Sequence, residues 1–100
     1  MRKLDQSEIE FIGACLRAAS DGPFFEDWEF ATLFGLERAD VKQVADAWPR
    51  VDPNDESIAL AVQNSLNNLL GYPNEGELAS YVPGGLAAIE RVLAKWRNAG

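Results

Sequence analysis

The side chains with catalytic potential in this sequence are mainly carboxylates. Glu26 and Glu29 stand three residues apart, and a pair of carboxylates could in principle perform acid–base chemistry. The chain has no histidine, which excludes a histidine-based metal site and a Ser-His-Asp or Cys-His nucleophile. No second element of a site accompanies the two glutamates. The sequence therefore predicts a protein that is not an enzyme and has no catalytic residues.

The acidic run 52–56 and the single cysteine could suggest chemistry, but a structural role explains each of them better. The run from Asp52 to Glu56 has the acidic spacing of a calcium loop, but Ser57 replaces the required glycine and Gln63 replaces the bidentate glutamate. We interpret it as a helix start capped by Asp52, and we predict no metal and no cofactor. Cys15 lies among apolar residues and is expected to be a small buried thiol, since a single cysteine forms no internal disulfide.

The main candidate binding surface is the acidic segment, residues 24–29, which places three aromatic residues among three acids. Its aromatic pair either plugs a seam between the two halves of the chain, if the internal repeat described below is real, or forms an anchor with an acidic rim, the combination that gives protein interfaces affinity and steering. The candidate interface residues are Phe24, Phe25, Glu26, Asp27 and Glu29.

A neutral amide face on a later helix is the second candidate surface. Asparagine is a poor interior helix former because its amide competes for backbone hydrogen bonds. These side chains either hold neighbouring loops in place or form a polar contact surface. The residues of this face are Leu60, Gln63, Asn64, Asn67 and Asn68.

The net charge of −7 is unevenly distributed along the chain. Residues 18–90 hold 13 acids and three bases, a net of −10, whereas residues 91–100 hold three bases and no acid. An acidic face either aids solubility or steers the protein toward a basic partner, and it disfavours nucleic acid because it repels phosphates. The sequence begins without an apolar signal segment, and its longest uncharged stretch, 57–74, contains amides. We therefore predict a cytoplasmic protein with no membrane span.

Apolar residues recur at helical spacing, and no segment alternates long enough to predict a strand. A capping box from Ser7 to Glu10 is expected to begin the first helix, and Gly22 is expected to end it in a left-handed cap. The predicted fold is all-α, a compact bundle of about six helices in a single domain, 1–100. The later helices are expected over 27–34, 37–48, 52–71, 75–82 and 86–97.

The two halves of the chain resemble each other at an offset of 48 to 50 residues. The candidate repeat units are 7–50 and 54–97, each a long, a short and a long helix that ends in tryptophan, and together they could share one core. Phe24 and Phe25 are the residues that the second half lacks, and Trp48 matches Trp96 as a core anchor. Chance similarity between two amphipathic halves is the alternative.

The sequence from Phe30 to Leu36, followed by Val41 and Val44, resembles a helix-turn-helix, with Gly35 at the turn. That resemblance implies a second helix that enters the major groove of DNA, yet this helix carries more acids than bases. The whole chain is also similar to small uncharacterised bacterial all-helical proteins that carry Asp27-Trp28-Glu29-Phe30 and Asn68-Leu69-Leu70-Gly71-Tyr72-Pro73. This second resemblance implies no activity and no site residues.

The function that these features favour is a small acidic helical domain that binds another protein, which is expected to be basic. An inhibitor or immunity-type protein suits the size and charge by analogy. The alternatives are a degenerate helix-turn-helix protein that binds nucleic acid and a homo-oligomeric structural module. Both a monomer and a homodimer are compatible with the sequence.

Overall fold

Five α-helices and no strand make up the part of the chain that the structure, a computed structural model, describes: residues 4–22, 24–52, 54–71, 78, 80–82 and 84–99. This confirms the all-α prediction with five helices rather than about six. The short helix predicted over 75–82 lies mostly outside the described residues. The helices are α1 (Gln6–Asp21), α2 (Asp27–Phe34), α3 (Arg38–Ala47), α4 (Glu56–Gly71) and α5 (Gly85–Ala99).

The first helix begins earlier than the sequence pattern indicates. Asp5 caps α1: its carboxylate accepts the Glu8 amide at 2.8 Å, and the Glu8 carboxylate accepts the Asp5 amide at 3.0 Å. The Ser7 hydroxyl donates to the same Asp5 carboxylate at 2.7 Å. The predicted capping box at Ser7 is therefore wrong, because Asp5 is an equally good cap and takes both donors.

The start of α4 and the end of α1 also differ from the predictions. Asp55, not Asp52, precedes the first turn of α4 and accepts the Ser57 amide at 2.8 Å. Gly22 ends α1 with extended backbone (φ −76°, ψ 167°) and not in a left-handed cap. Glycine is needed there for space, since a Cβ would lie 2.3 Å from the Ala18 carbonyl oxygen. Gly35, at the end of α2, does adopt the left-handed conformation (φ 70°).

The two long helices α1 and α4 pack against each other, α3 packs on α1, and α5 packs on α4. The short α2 packs on α4 and α3. Each helix buries one stripe of apolar residues in a shared core, as amphipathic helices require. None of the described helices has the length and apolarity needed to cross a membrane. The largest fully buried side chains are Trp96, Phe30, Phe34, Ile12, Leu16, Leu66, Leu69, Leu78, Ile89, Val41, Val62 and Val82.

The two tryptophans predicted as core anchors take different positions. Trp96 is 2% exposed and belongs to the core. Trp48 is half-buried at the end of α3, where its indole N–H donates to the Ile9 carbonyl at 2.7 Å. A Cβ on Gly13 would lie 2.9 Å from the Trp48 ring, so the indole packs directly on the α1 backbone. Trp48 therefore ties the end of α3 to α1.

Candidate functional site

Phe25 lies in the core and not on the surface. It is 5% exposed, and its ring makes edge contacts with Phe30 and Phe34 at centroid distances of 6.3 and 5.1 Å. The rings of Phe30 and Phe34 stack on each other at 4.0 Å. The ring of Phe25 packs on two aromatic residues of α2, and its burial excludes the role of an exposed anchor. An enclosed ring cannot contact a partner of the folded chain, so Phe25 leaves the candidate interface.

Phe24 is half-buried and contacts an exposed aromatic residue from a distant part of the chain. Its ring meets Tyr81 edge-on at 5.2 Å, and Tyr81 is 46% exposed. This pair brings the segment that follows α1 beside the segment that precedes α5. Part of the aromatic surface around Phe24 therefore remains accessible.

Trp28 is the exposed aromatic residue of the acidic segment. It is 80% exposed on the first turn of α2, and the set of candidate interface residues drawn from the sequence omitted it. Helical periodicity contained the signal: Phe30 and Phe34 are one turn apart and face the core, and Trp28 is about 200° around the helix from Phe30. A large indole on the solvent side of a short helix has no role in the core.

The guanidinium of Arg38 holds the acidic segment in place. It donates to the backbone carbonyls of Ser20, at 3.1 Å, and Phe25, and it pairs with the Asp27 carboxylate at 2.8 Å. It also lies 4.6 Å from the centroid of the Phe30 ring. One planar cation on α3 thus joins the end of α1, the connecting loop and the start of α2. Trp28 is therefore presented from a well-supported helix end.

The surface around Trp28 is acidic because the neighbouring cations are already engaged. Glu26 and Asp27 are exposed, Glu29 is partly exposed, and the Asp27 side chain remains 92% accessible despite its ion pair. Elsewhere in the first three helices, Arg17 pairs with Asp46 at 3.2 Å, and Lys42 pairs with Asp21 at 3.3 Å. The acidic segment therefore presents a surplus of negative charge.

The amide face of α4 is divided between internal and exposed side chains. The Asn64 amide donates to the Phe34 carbonyl at 2.6 Å, and the Asn68 amide donates to the Leu33 carbonyl at 3.0 Å. These carbonyls belong to the last turn of α2, where no following helical turn supplies backbone N–H groups to bond with them. Gln63 and Asn67 are exposed, and Leu60, 39% exposed, lies over Gly35. Holding a neighbouring helix end is thus the role that Asn64 and Asn68 perform.

Nucleophilic chemistry is disfavoured at the single thiol. Cys15 is fully buried in α1, and burial raises the pKa of its thiol well above the usual range, so the reactive thiolate does not form near neutral pH. Across the described ranges, no three carboxylate or thiol side chains are grouped closely enough to share a metal ion. The arrangement that remains is an exposed indole among exposed carboxylates, which is suited to recognition.

Comparison of this chain with protein-family models, with curated proteins and with solved structures finds no match. The resemblances noted from the sequence therefore remain predictions. The functional interpretation rests on the geometry of the acidic segment and on the charges around it.

Proposed function

We propose that this protein is a binding domain for a basic protein and that Trp28, with the acidic residues beside it, is the centre of the contact. The exposed indole is the observation that carries the proposal, because tryptophan at 80% exposure is costly to leave in water unless a partner covers it. Tryptophan is also among the residues most enriched at the energetic centres of protein interfaces.

The charges favour a basic partner over a nucleic acid. Glu26, Asp27 and Glu29 surround the indole with negative charge, which accelerates the encounter with a positive surface and repels phosphates. On α3, the helix that would read DNA in a helix-turn-helix protein, Arg38 points into internal hydrogen bonds and Lys42 pairs with Asp21. A binding role rather than an enzymatic one also agrees with the lack of histidine.

The test is affinity capture from a lysate of the source cells, followed by titration of each purified partner against three proteins. These are the natural chain, Trp28→Ala and Glu26→Lys. We expect Trp28→Ala to weaken binding by about 30-fold, the cost of truncating an interface centre, without changing the melting temperature. Because Trp28 is the most exposed indole, its fluorescence should shift to shorter wavelength in the complex, and the shift should be absent in Trp28→Ala.

Glu90→Lys is the matched control for the charge change. Glu90 is an exposed carboxylate on α5, so its reversal changes the net charge of the protein by the same amount at a different place. Glu26→Lys should slow association more than Glu90→Lys does, and the difference should diminish at high salt. Equal binding of the natural chain and Trp28→Ala to every captured partner would contradict the proposal. A dimer that Trp28→Ala dissociates would instead identify a second copy as the partner.

We also propose that the repeat units 7–50 and 54–97 are structurally related. The packing of α1 on α3 has its counterpart in the packing of α4 on α5. Six pairs of residues at equivalent positions of the two units are both less than 10% exposed, which supports a structural relation between the units. The pairs are Ile12 with Val62, Leu16 with Leu66, Phe30 with Leu78, Phe34 with Val82, Val41 with Ile89, and Val44 with Val92.

A further inference from the structure

An open groove of about 330 Å³ runs between α3 and the start of α4. Its apolar lining consists of side chains at intermediate exposure or on the surface, together with Val44 at the edge of the core. On α3 the groove is lined from Asp40 to Ala47, roughly 10 Å or two helical turns, and Leu36, which precedes α3, extends it at one end. The residues that line this α3–α4 groove are Leu36, Asp40, Gln43, Val44, Ala47, Val51, Ser57 and Ile58.

The rim of the α3–α4 groove is acidic. Asp40 lies in its lining, and the exposed residues Asp52, Asp55 and Glu56 adjoin Val51 and Ser57 at its other side. Within the part of the chain that the structure describes, two of these carboxylates accept hydrogen bonds from local backbone amides alone, those of Asn54 and Ser57, at 2.9 and 2.8 Å. Arg50 is the basic residue of the same loop. The groove thus combines an apolar floor with a surplus of negative charge at its edge.

From this combination we propose that the α3–α4 groove binds an amphipathic, cationic helical segment of a partner protein. Apolar side chains of the segment occupy the floor, and its lysine or arginine residues lie against the acidic rim, as in other complexes in which a helix lies in a groove. The inference rests on the proposed function in that it names the class of basic segment that the domain takes up. It adds a surface that does not include Trp28.

A second copy of this chain fits the α3–α4 groove less well than such a segment. The cationic helix of this protein is α5, with Arg91, Lys95 and Arg97 exposed. The exposed apolar residues beside them are Ala87 and Ala94, which are too small to fill a floor lined by leucine, valine and isoleucine side chains. The occupant must supply both larger apolar side chains and positive charge.

A second groove of similar size, between α1 and α5, does not have these properties. It is lined in part by Ser7, Glu8 and Arg91, and Glu8 already pairs with Lys95 at 2.6 Å. Its charges are therefore mixed and partly satisfied within the protein. Charge complementarity distinguishes the α3–α4 groove as the one that favours a cationic segment.

The probe is a fluorescein-labelled synthetic peptide of about 15 residues, with leucine at helical spacing on one face and lysine on the other. Its binding to the full chain is measured by fluorescence anisotropy, with a leucine–glutamate peptide of the same pattern for comparison. Ala47→Arg places a long cationic side chain in the groove at an exposed helix position. Ala94→Arg, at an exposed position on α5, makes the same chemical change outside the groove.

We expect the lysine peptide to bind, the glutamate peptide not to bind, and Ala47→Arg to weaken the lysine peptide at least about tenfold relative to Ala94→Arg. Equal weakening by the two arginine variants would overturn the proposal, since it indicates attraction to net charge alone, and so would the absence of lysine-peptide binding. A natural dimer that Ala47→Arg dissociates would assign the groove to a second copy and also overturn it. Trp28→Ala should leave peptide binding unchanged, so the groove and the Trp28 contact fail or succeed separately.

Discussion

Helix α2 and the junction of α1 with α5 are held in place by different kinds of polar contact. Around α2, side chains donate hydrogen bonds to backbone carbonyls: the Arg38 guanidinium at one end and the Asn64 and Asn68 amides at the other. Where α1 meets α5, the polar contact is the Glu8–Lys95 ion pair, with the carboxylate nearly buried and the ammonium half exposed. The contacts at α2 are mainly hydrogen bonds to backbone carbonyls, with one exposed ion pair to Asp27, whereas the contact between α1 and α5 is an ion pair that depends on pH and salt.

This difference matches what each element has to do. Helix α2 has eight residues, and a helix of that length is unstable on its own in water. It also presents Trp28, so its orientation sets the position of the proposed contact. Helices α1 and α5 have 16 and 15 residues, and both pack on α4, so their ion pair adds to positions that the core already fixes. Specific hydrogen bonds are therefore concentrated at the element least able to hold itself.

Arg38→Ala is expected to have the largest effect on stability. It removes bonds to two backbone carbonyls as well as the pair with Asp27, and hydrogen bonds from a charged donor contribute about 1.5–3 kcal/mol each at most. We expect a loss of about 2–3 kcal/mol in the free energy of unfolding, measured by urea denaturation. Arg38→Lys should recover only a minor part, because an ammonium cannot reproduce the planar fork.

Lys42→Ala is the matched control on the same helix. Its ion pair with Asp21 joins two side chains that are 56% and 44% exposed, so its loss should cost below about 1 kcal/mol. If the two alanine variants lose equal stability, the contrast at α3 between the hydrogen bonds that Arg38 donates to backbone carbonyls and the exposed Lys42–Asp21 ion pair is wrong.

Asn68→Ala is expected to have the next largest effect. Asn68 is 7% exposed, and its amide donates to the carbonyls of Leu33 and Asn64. The lost bond to α2 is partly offset by the higher helix propensity of alanine, which leaves a net loss of about 1 kcal/mol. Asn67→Ala, at the exposed neighbouring position, should be neutral or slightly stabilising in the same denaturation experiment. Equal losses in the two variants would show that the amide face of α4 does not act through α2.

Periodicity and breakers predicted the helices well because these signals are local. The bounds expected for α2, 27–34, agree with those observed, and the turn at Gly35 has the left-handed conformation that glycine favours. The caps were harder to predict. Asp5 and Ser7 are both good N-caps, as are Asp52 and Asp55, and local propensity does not decide between residues of similar capping strength.

The candidate site was predictable only where a side chain's role depends on its own helix. The position of Trp28 opposite Phe30 is such a case, and it needed no tertiary information. The roles of Arg38 and Asn68 at α2 were not predictable, because the carbonyls that they reach around α2 lie 13 to 35 residues away and sequence spacing does not reveal which loop meets which helix. The acidic composition indicated a basic partner without indicating that Arg17, Arg38 and Lys42 pair within the first three helices.

The Glu8–Lys95 pair gives the smallest expected effect, and that effect depends on pH. The hydrogen bond from Lys95 holds the pKa of the Glu8 carboxyl below its ordinary value, with help from the Asp5 amide. A carboxyl whose pKa is lower in the folded state stabilises the fold at pH values above its ordinary pKa, which is about 4.3 for glutamate. This contribution is lost as the pH falls through the lowered pKa. Stability should therefore decrease as the pH is lowered from about 5.

Glu8→Gln tests this dependence without disturbing the helix start, because glutamine can also complete a capping box with Asp5. Melting temperatures measured between pH 7 and pH 3 should fall less steeply for Glu8→Gln than for the natural chain, and 0.5 M salt should narrow the gap between them at pH 7. Glu10→Gln, an exposed change on the same helix that affects no observed ion pair of the described residues, should retain the natural slope. If the melting temperature of Glu8→Gln falls with pH as steeply as that of the natural chain, the ion pair does not contribute, and apolar packing alone holds α1 and α5. The contrast with α2 would then be between apolar packing and hydrogen bonds.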